Sequence, residues 1–295
     1  MKNAIFLAFD DKHWHYFIRL FNSIQENYPN HPILLIHYSS LNNNRIKWLR
    51  NKKNVKLYIT KNLPKDFNYS WYHRDVQSKM VYFKYMLWTN DYDEYDNILH
   101  LDVDTLVVSP LDEVFEKKKF FVVKNNIPFK EVRILPGDKQ YKSLIDQKLK
   151  AHGLAYPKHD DMVNAGIFMI PKAYRTKEYL NSLLEITKDF GSLLVYADQS
   201  ALSLWCLKNG ISPSEEYQYN FQFPLFNKSL KPRYEGHIDV GGYFSLKNDI
   251  LNKIKIIHYS GPIKPNYPEF MSWWLMGKYS KLFKEYYQRY SGVKK

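Results

Sequence analysis

The chain has 295 residues, 45% of them hydrophobic, which suffices for one large α/β domain or two small ones and excludes a disordered polymer. Its formal charge of +13 is compatible with nucleic acid, an anionic membrane surface or an acidic substrate as partner. Glycines number 11 against 25 tyrosines and 18 phenylalanines, and neither G-x-G-x-x-G nor G-x-x-x-x-G-K-[ST] occurs, so a glycine-rich phosphate cradle is excluded and any bound phosphate falls to a metal and lysines.

In chain order, the apolar run Ala4 to Phe9 predicts a first strand, and Phe17, Leu20, Phe21 and Ile24 recur at helical spacing. Pro29 and Pro32 bracket a turn before a second strand, Ile33 to His37. A short basic helix from Arg45 to Arg50 and a third strand from Val55 to Ile59 follow. Such strand–helix alternation predicts an α/β domain with a mostly parallel central sheet. Val76 to Trp88 reads as a helix with Met80, Phe83 and Leu87 on one side, and another short strand is expected at Phe120 to Val123. A helix from Lys139 to His152 ends at Gly153. An apolar strand is expected from Asn164 to Ile170, helices over Glu178 to Phe190 and Asp198 to Leu207, loops over Glu215 to Gly242, and a last strand over Lys255 to His258. No repeat, low-complexity linker or clear boundary divides the chain, so residues 1–270 are expected to form one domain, followed by a helical tail over 271–295.

The single cysteine, Cys206, excludes an internal disulfide, and its apolar neighbours predict a buried thiol. The N-terminal apolar run is too short for a signal sequence, with Asp10-Asp11 following at once, and no stretch approaches the roughly 18 apolar residues of a membrane span. The expectation is a soluble, cytoplasmic chain. In the tail, Trp273, Trp274, Phe283 and Tyr290 alternate with Lys278, Lys281, Lys284 and Arg289. That mixture suits a helix lying on an anionic membrane surface, at the inner face of the membrane; the alternative is an ordinary helix packing its aromatics on the domain.

The most informative segment is Asn97-Ile98-Leu99-His100-Leu101-Asp102-Val103-Asp104. A strand ending in two carboxylates places them at its carboxyl edge, where open α/β sheets bind ligands. Two hard oxygen ligands there can hold a divalent cation, and the cation can hold a diphosphate. A histidine at the end of a later apolar strand, His258, can add a nitrogen ligand, a mixed donor set that Mn²⁺ tolerates better than Mg²⁺. Gly261 permits close backbone approach, and Lys264 supplies a point charge for phosphate. His13-x-His15 is a weaker metal pair at a helix start, and Asp160-Asp161 either meets a sugar hydroxyl or merely solubilises a loop.

His258-x-x-Gly261-x-x-Lys264-Pro265 resembles the C-terminal signature of glycosyltransferase family 8. Leu7-Ala8-Phe9-Asp10-Asp11 resembles that family's first strand, Asn164-Ala165-Gly166 its segment at the donor sugar, and Asp198-Gln199 its pair at the reacting centre. The resemblance runs over about residues 4 to 268 and implies a GT-A fold and a retaining transfer of a hexose from a UDP-sugar to a glycan or glycolipid acceptor. It further implies Mn²⁺ held by Asp102, Asp104 and His258, a uridine pocket lined by Ala8 and Asp10, a diphosphate contact from Lys264, and donor contacts from Asn164, Gly166 and Gly261. The family's basic residue before the Asp-x-Asp strand is matched by Lys79 or Lys84, with Lys79 preferred. Asp198 and Gln199 would face the sugar. Gln199 is a poor nucleophile, which favours front-face attack assisted by the leaving phosphate; Asp198 also suits a helix N-cap. A non-catalytic glycan- or membrane-binding homologue is the alternative, and nucleic acid is not an expected partner.

Overall fold

A computed structural model describes residues 1–59, 79–125, 139–190, 193, 197–222, 252–259, 285 and 288–291. It falls into two compact units: residues 1–11, 32–101 and 113–215 form the first, and 12–31, 102–112 and 216–295 the second.

The first unit is a mixed α/β layer structure. Its six-stranded sheet runs β3 (Val55–Ile59), β2 (Ile33–Tyr38), β1 (Asn3–Phe9), β4 (Asn97–Leu101), β7 (Val163–Pro171), β6 (Phe121–Lys124). The first four strands are parallel, in register Ala4↔Ile33, Ala4↔Ile98 and Leu34↔Val55. β7 pairs antiparallel with both β4 and β6. The mostly parallel sheet is thus present, with its direction reversed at β7. β1, β4 and β7 are almost entirely buried, as strands covered on both faces must be, which is why they read as continuous apolar runs rather than alternating ones.

The element expected at Val76 to Trp88 is a 3₁₀ helix over Lys79–Trp88, and residues 76–78 lie outside the described set. It is not one-sided: Tyr82, Phe83, Lys84, Tyr85, Leu87 and Trp88 are all buried. Trp88 sits in an aromatic cluster with Trp205, Phe168 and Phe120, at ring-centroid separations of 5.3, 5.6 and 6.0 Å. Enclosure on all sides, not amphipathicity, orders this segment.

Around the sheet lie α2 (Asn43–Arg50), α3 (Asp112–Phe115), α4 (Lys139–Ala151), α5 (Lys177–Phe190) and α6 (Ala197–Lys208), of which α3 has its first residue, Asp112, in the second unit. Gly153, at φ +68°, closes α4 in a Schellman turn: the amide of Leu154 donates to Leu149 O at 2.8 Å, and that of Gly153 to Lys150 O at 3.0 Å. Gly210, at φ +64°, ends α6 in the same way. Cys206 is buried in α6, as its neighbours predict, and burial pushes its thiol pKa well up, which leaves little reactive thiolate.

The second unit is built on α1 (Trp14–Asn27) and a small sheet of β5 (Thr105–Val107), β9 (Ile256–His258) and β8 (Phe221–Gln222). Phe17, Leu20, Phe21 and Ile24 are buried, as their spacing predicts. Ser23 and Asn27 pin α1 to β5: the Val107 amide donates to Ser23 Oγ at 3.0 Å, and Asn27 Nδ2 to Val107 O at 3.1 Å. Of the tail, Tyr290 is buried, its hydroxyl accepting from Asn27 Nδ2 at 2.7 Å and its carbonyl from Asn22 Nδ2 at 3.1 Å, while Arg289 pairs with Glu26. Tyr290 therefore packs on α1, as the ordinary alternative for the tail requires. Trp273, Trp274, Lys278, Lys281, Phe283 and Lys284 lie outside the described residues. No helix among the described residues is long and apolar enough to cross a membrane.

Candidate functional site

Asp102 and Asp104 follow β4 directly, in a turn closed by Thr105, whose amide and hydroxyl donate to Asp102 O at 3.2 and 2.8 Å. β5 then begins, and Thr105 stands opposite His258 in the antiparallel β5–β9 ladder. One step further the amide of Tyr259 donates to Asp104 O at 2.9 Å. The ladder thus fixes the backbone of the second aspartate against that of the histidine. The other end is held by the Val108 amide on Lys255 O, at 2.9 Å.

This register brings Asp102, Asp104 and His258 together. One ligand atom from each lies within 4.8 Å of the others, and among the described residues this is the group of His, Cys, Asp and Glu side chains suited to hold a metal. Ligands about 2.0–2.6 Å from a hard divalent cation stand at most about 4–5 Å apart, so the spacing fits one ion. The two carboxylates are half-buried and the imidazole is buried, 3% exposed, with Nε2 facing Asp104 Oδ1 at 3.3 Å and Nδ1 at 2.9 Å from Asn220 Oδ1. Two carboxylates and one imidazole make a donor set suited to Mn²⁺ and its neighbours in the first transition row. The residues present fit such a cation.

A second cluster lies in the first unit, around the start of β7. Asn164 is buried and its Oδ1 accepts the Gly166 amide at 2.9 Å, where the β6–β7 register is irregular. The carbonyl between them, Ala165 O, accepts from Lys84 Nζ at 3.0 Å, and the same ammonium meets Asp198 Oδ2 at 3.1 Å. Both side chains are largely enclosed, 4% and 13% exposed. Asp198 lies within the first turn of α6 rather than at its cap, where its charge also complements the helix N-terminus. Gln199, next in α6, is half-buried; its carbonyl accepts from Ser203 Oγ at 2.8 Å, and Ser203 Oγ in turn accepts the Val163 amide at 3.1 Å. The hydroxyl of Ser203 therefore ties α6 to the entrance of β7.

Of the two lysines that the resemblance offers here, Lys79 is the one preferred on sequence. Lys84 is the lysine in this cluster, while the side chain of Lys79 lies outside the described residues. Gly261 and Lys264 also lie outside them. Ala8 and Asp10 stand at the carboxyl end of β1 and just beyond it, Ala8 half-buried and paired with His37 of β2, Asp10 buried. Neighbouring Asp11 pairs with Arg45 at 2.6 Å and accepts the Asn42 amide at 3.3 Å, a structural use. The rings of His13 and His15 both pack near Tyr16, at 6.2 and 3.8 Å between centroids. Asp160 meets Lys124 at 2.6 Å, and Asp161 accepts the Lys158 amide at 2.7 Å. Sequence reasoning missed Asn220, which sits in a segment read as loop. An asparagine flanked by aromatics, Tyr219 and Phe221, is the one local signal, and it does not point to a site by itself.

The family model for Glycosyl transferase family 8 matches residues 4–265. Among solved structures, the chain is similar to the bifunctional glycosyltransferase WbbM, at 16% identity and a TM-score of 0.62, covering 98% of this chain and 49% of that one. It is also similar to the galactosyltransferase LgtC in complex with donor and acceptor sugar analogues, at 19% identity and a TM-score of 0.63, covering 99% of this chain and 98% of that one. An LgtC active-site mutant carrying a glutamine-to-glutamate change aligns with 18% identity and a TM-score of 0.65, over 99% and 98% of the two chains. No curated protein sequence matches the chain.

Proposed function

The chain belongs to glycosyltransferase family 8, and from that premise we propose that it moves a hexose from a UDP-sugar to a glycan or glycolipid acceptor, with retention of anomeric configuration and with Mn²⁺ as cofactor. The observation that carries the reading is the convergence of Asp102, Asp104 and His258, three ligand atoms within 4.8 Å delivered by one strand register. When bound, the cation supplies Lewis-acid stabilisation of the charge that develops on the leaving diphosphate. Lys264 adds a fixed positive charge to the same leaving group. Ala8 and Asp10 line the uridine pocket, and Asn164, Gly166 and Gly261 contact the donor.

The sugar becomes oxocarbenium-like as its bond to phosphate breaks. Asp198 is a poor candidate for a covalent nucleophile, because its carboxylate is held by Lys84 at 3.1 Å and a paired carboxylate is less free to attack. Gln199 is an amide and weaker still. Front-face delivery of the acceptor hydroxyl, with the leaving phosphate taking its proton, is therefore the preferred route. Lys84 and Asp198 then act by holding the Asn164–Gly166 segment through Ala165 O, and Gln199 by meeting the sugar. The active-site glutamine altered in one LgtC structure accords with that role for Gln199. We place the enzyme in the cytoplasm and peripherally on the inner membrane face, with the tail as the contact.

Calorimetric titration of UDP with and without Mn²⁺, followed by hydrolysis of a panel of UDP-hexoses, tests this reading. Metal-dependent UDP binding and turnover of one UDP-hexose are expected. UDP binding that ignores the metal, or no hydrolysis of any UDP-hexose, would overturn it, and metal-dependent binding without turnover would point to the non-catalytic homologue.

A further inference from the structure

Asn220 is fully buried, and no part of the proposed reaction uses it. It follows a short 3₁₀ turn, Tyr217–Tyr219, and immediately precedes β8. Its position is fixed from several sides. Its own amide donates to Tyr217 O at 3.1 Å, the Lys255 amide donates to Gln218 O at 2.8 Å, and β8 pairs with β9 in register Phe221↔Ile257 and Gln222↔His258. The strand that carries His258 is thus the strand that Asn220 is built against. The side-chain oxygen of Asn220 lies 2.9 Å from His258 Nδ1.

An amide oxygen only accepts, so the ring nitrogen facing it carries the proton. A neutral imidazole protonated at Nδ1 has its lone pair on Nε2, which is the nitrogen turned toward Asp104 Oδ1 at 3.3 Å. In that form two lone-pair acceptors face each other at that distance, an arrangement that a cation, or a proton on Nε2, between them relieves. The other edge of the amide, Nδ2, is buried and has no hydrogen-bond partner among the described residues.

We infer that Asn220 is a positioning residue of the metal site: its amide oxygen holds His258 in the Nδ1–H tautomer with Nε2 aimed at the cation. The inference rests on the assignment of Asp102, Asp104 and His258 as metal ligands. Hydrogen-bond partners behind a ligating histidine fix its ring and raise its basicity, and removing one costs about 10–100-fold in metal affinity. Asn220→Ala removes the acceptor. Asn220→Asp keeps an oxygen at the same place, and since Nδ2 has no partner among the described residues, exchanging it for a second oxygen breaks no hydrogen bond there.

The test is made on the metal-free full chain labelled with ¹⁵N and on Mn²⁺ titrations of the variants, followed by electron paramagnetic resonance and checked by thermal melts in chelator. Two-bond ¹H–¹⁵N correlations of His258 are expected to show Nδ1–H in the wild type and loss of that preference in Asn220→Ala. Mn²⁺ affinity is expected to fall about 10–100-fold in Asn220→Ala and to stay within a few-fold of wild type in Asn220→Asp. An Nε2–H ring in the wild type, wild-type affinity in Asn220→Ala, or an Asn220→Asp variant as weak as the alanine overturns the inference. If Asn220→Ala does not fold, the wild-type tautomer and the near-isosteric aspartate variant decide. Wild-type protein that binds no Mn²⁺, or binds it equally well after Asp104→Asn, overturns the metal site and this inference with it. Binding lost in Asp104→Asn yet unchanged in Asn220→Ala overturns the inference alone.

Discussion

Replacing Lys84 by methionine keeps the length of the stem and removes the ammonium. In the folded protein that ammonium is 3.0 Å from Ala165 O and 3.1 Å from Asp198 Oδ2, in surroundings that leave the two side chains 4% and 13% exposed. At 3.1 Å and an effective dielectric constant near 20, the gross attraction is about 5 kcal/mol, most of which offsets the cost of desolvating both groups. The intact pair therefore adds little net stability. Breaking it is a different matter, since the carboxylate stays enclosed without its partner, at a cost of about 3–5 kcal/mol, and Ala165 O loses a donor worth about 1 kcal/mol. Allowing for the partial exposure of Asp198, a loss of about 3–4 kcal/mol is expected for Lys84→Met. That is a fall of roughly 6–12 °C in the melting midpoint, at about 2–3 °C per kcal/mol for a chain of this size. Lys84→Met combined with Asp198→Leu removes both charges and should recover more than half of the loss, giving a coupling energy of about 2 kcal/mol in a double-mutant cycle. Urea unfolding of the four proteins measures it. A single variant within about 1 kcal/mol of wild type, or a cycle that is additive, would refute the buried pair and with it the assignment of Lys84 to the cluster at the start of β7.

His37 is buried between Phe6 and Tyr58, with Nε2 against the Tyr92 hydroxyl, and burial depresses its pKa from 6.5 to about 4. The unfolded chain binds this proton first, so stability present above pH 6.5 is lost as the pH falls toward 4, by about 3 kcal/mol in all. Urea midpoints across that window and the ring proton resonance of His37 check this, and a ring titrating near 6.5 would refute it. Gln199→Ala should retain UDP affinity and lose most of its turnover, because the proposed contact is to the sugar; an unchanged kcat in UDP-hexose hydrolysis would remove that role. Deleting residues 271–295 should reduce binding to anionic vesicles more than donor hydrolysis, but it also removes the buried Tyr290. Changing Lys278, Lys281 and Lys284 together to glutamine keeps Tyr290, and unchanged salt-sensitive co-sedimentation in that variant would refute the membrane role of the tail.

The inner strands of the first unit were legible because strands covered on both faces are mostly apolar, as Ile98, Leu99 and Leu101 are around the buried His100. The direction of β7 was not. An apolar run such as Ile167-Phe168-Met169-Ile170 is equally suited to parallel and antiparallel neighbours, and direction is set by the path of the intervening chain. β5 and β8, three and two residues long, are too short to show any period. Their importance comes from register, since β5 carries Asp104's neighbour opposite His258 and β8 carries Asn220's neighbour opposite Ile257.

Of the candidate site, the three residues that could hold a metal were legible and the residues packed behind them were not. A carboxylate or imidazole at a strand end advertises itself by being polar where apolar residues should continue. Lys84 was legible only as one of two candidates, behind Lys79, because lysines look alike in sequence and its partner lies 114 residues on. Asn220 gives less still: its partner is 38 residues on, and a neutral amide among aromatics has no charge to mark it. A ligand is recognised by its own chemistry. A supporting residue is recognised only by what it touches, and contact between residues so far apart in the chain is a property of the fold. The uncharged support is therefore where structure adds most to the sequence. In this protein the amide of Asn220, behind His258, is the clearest instance.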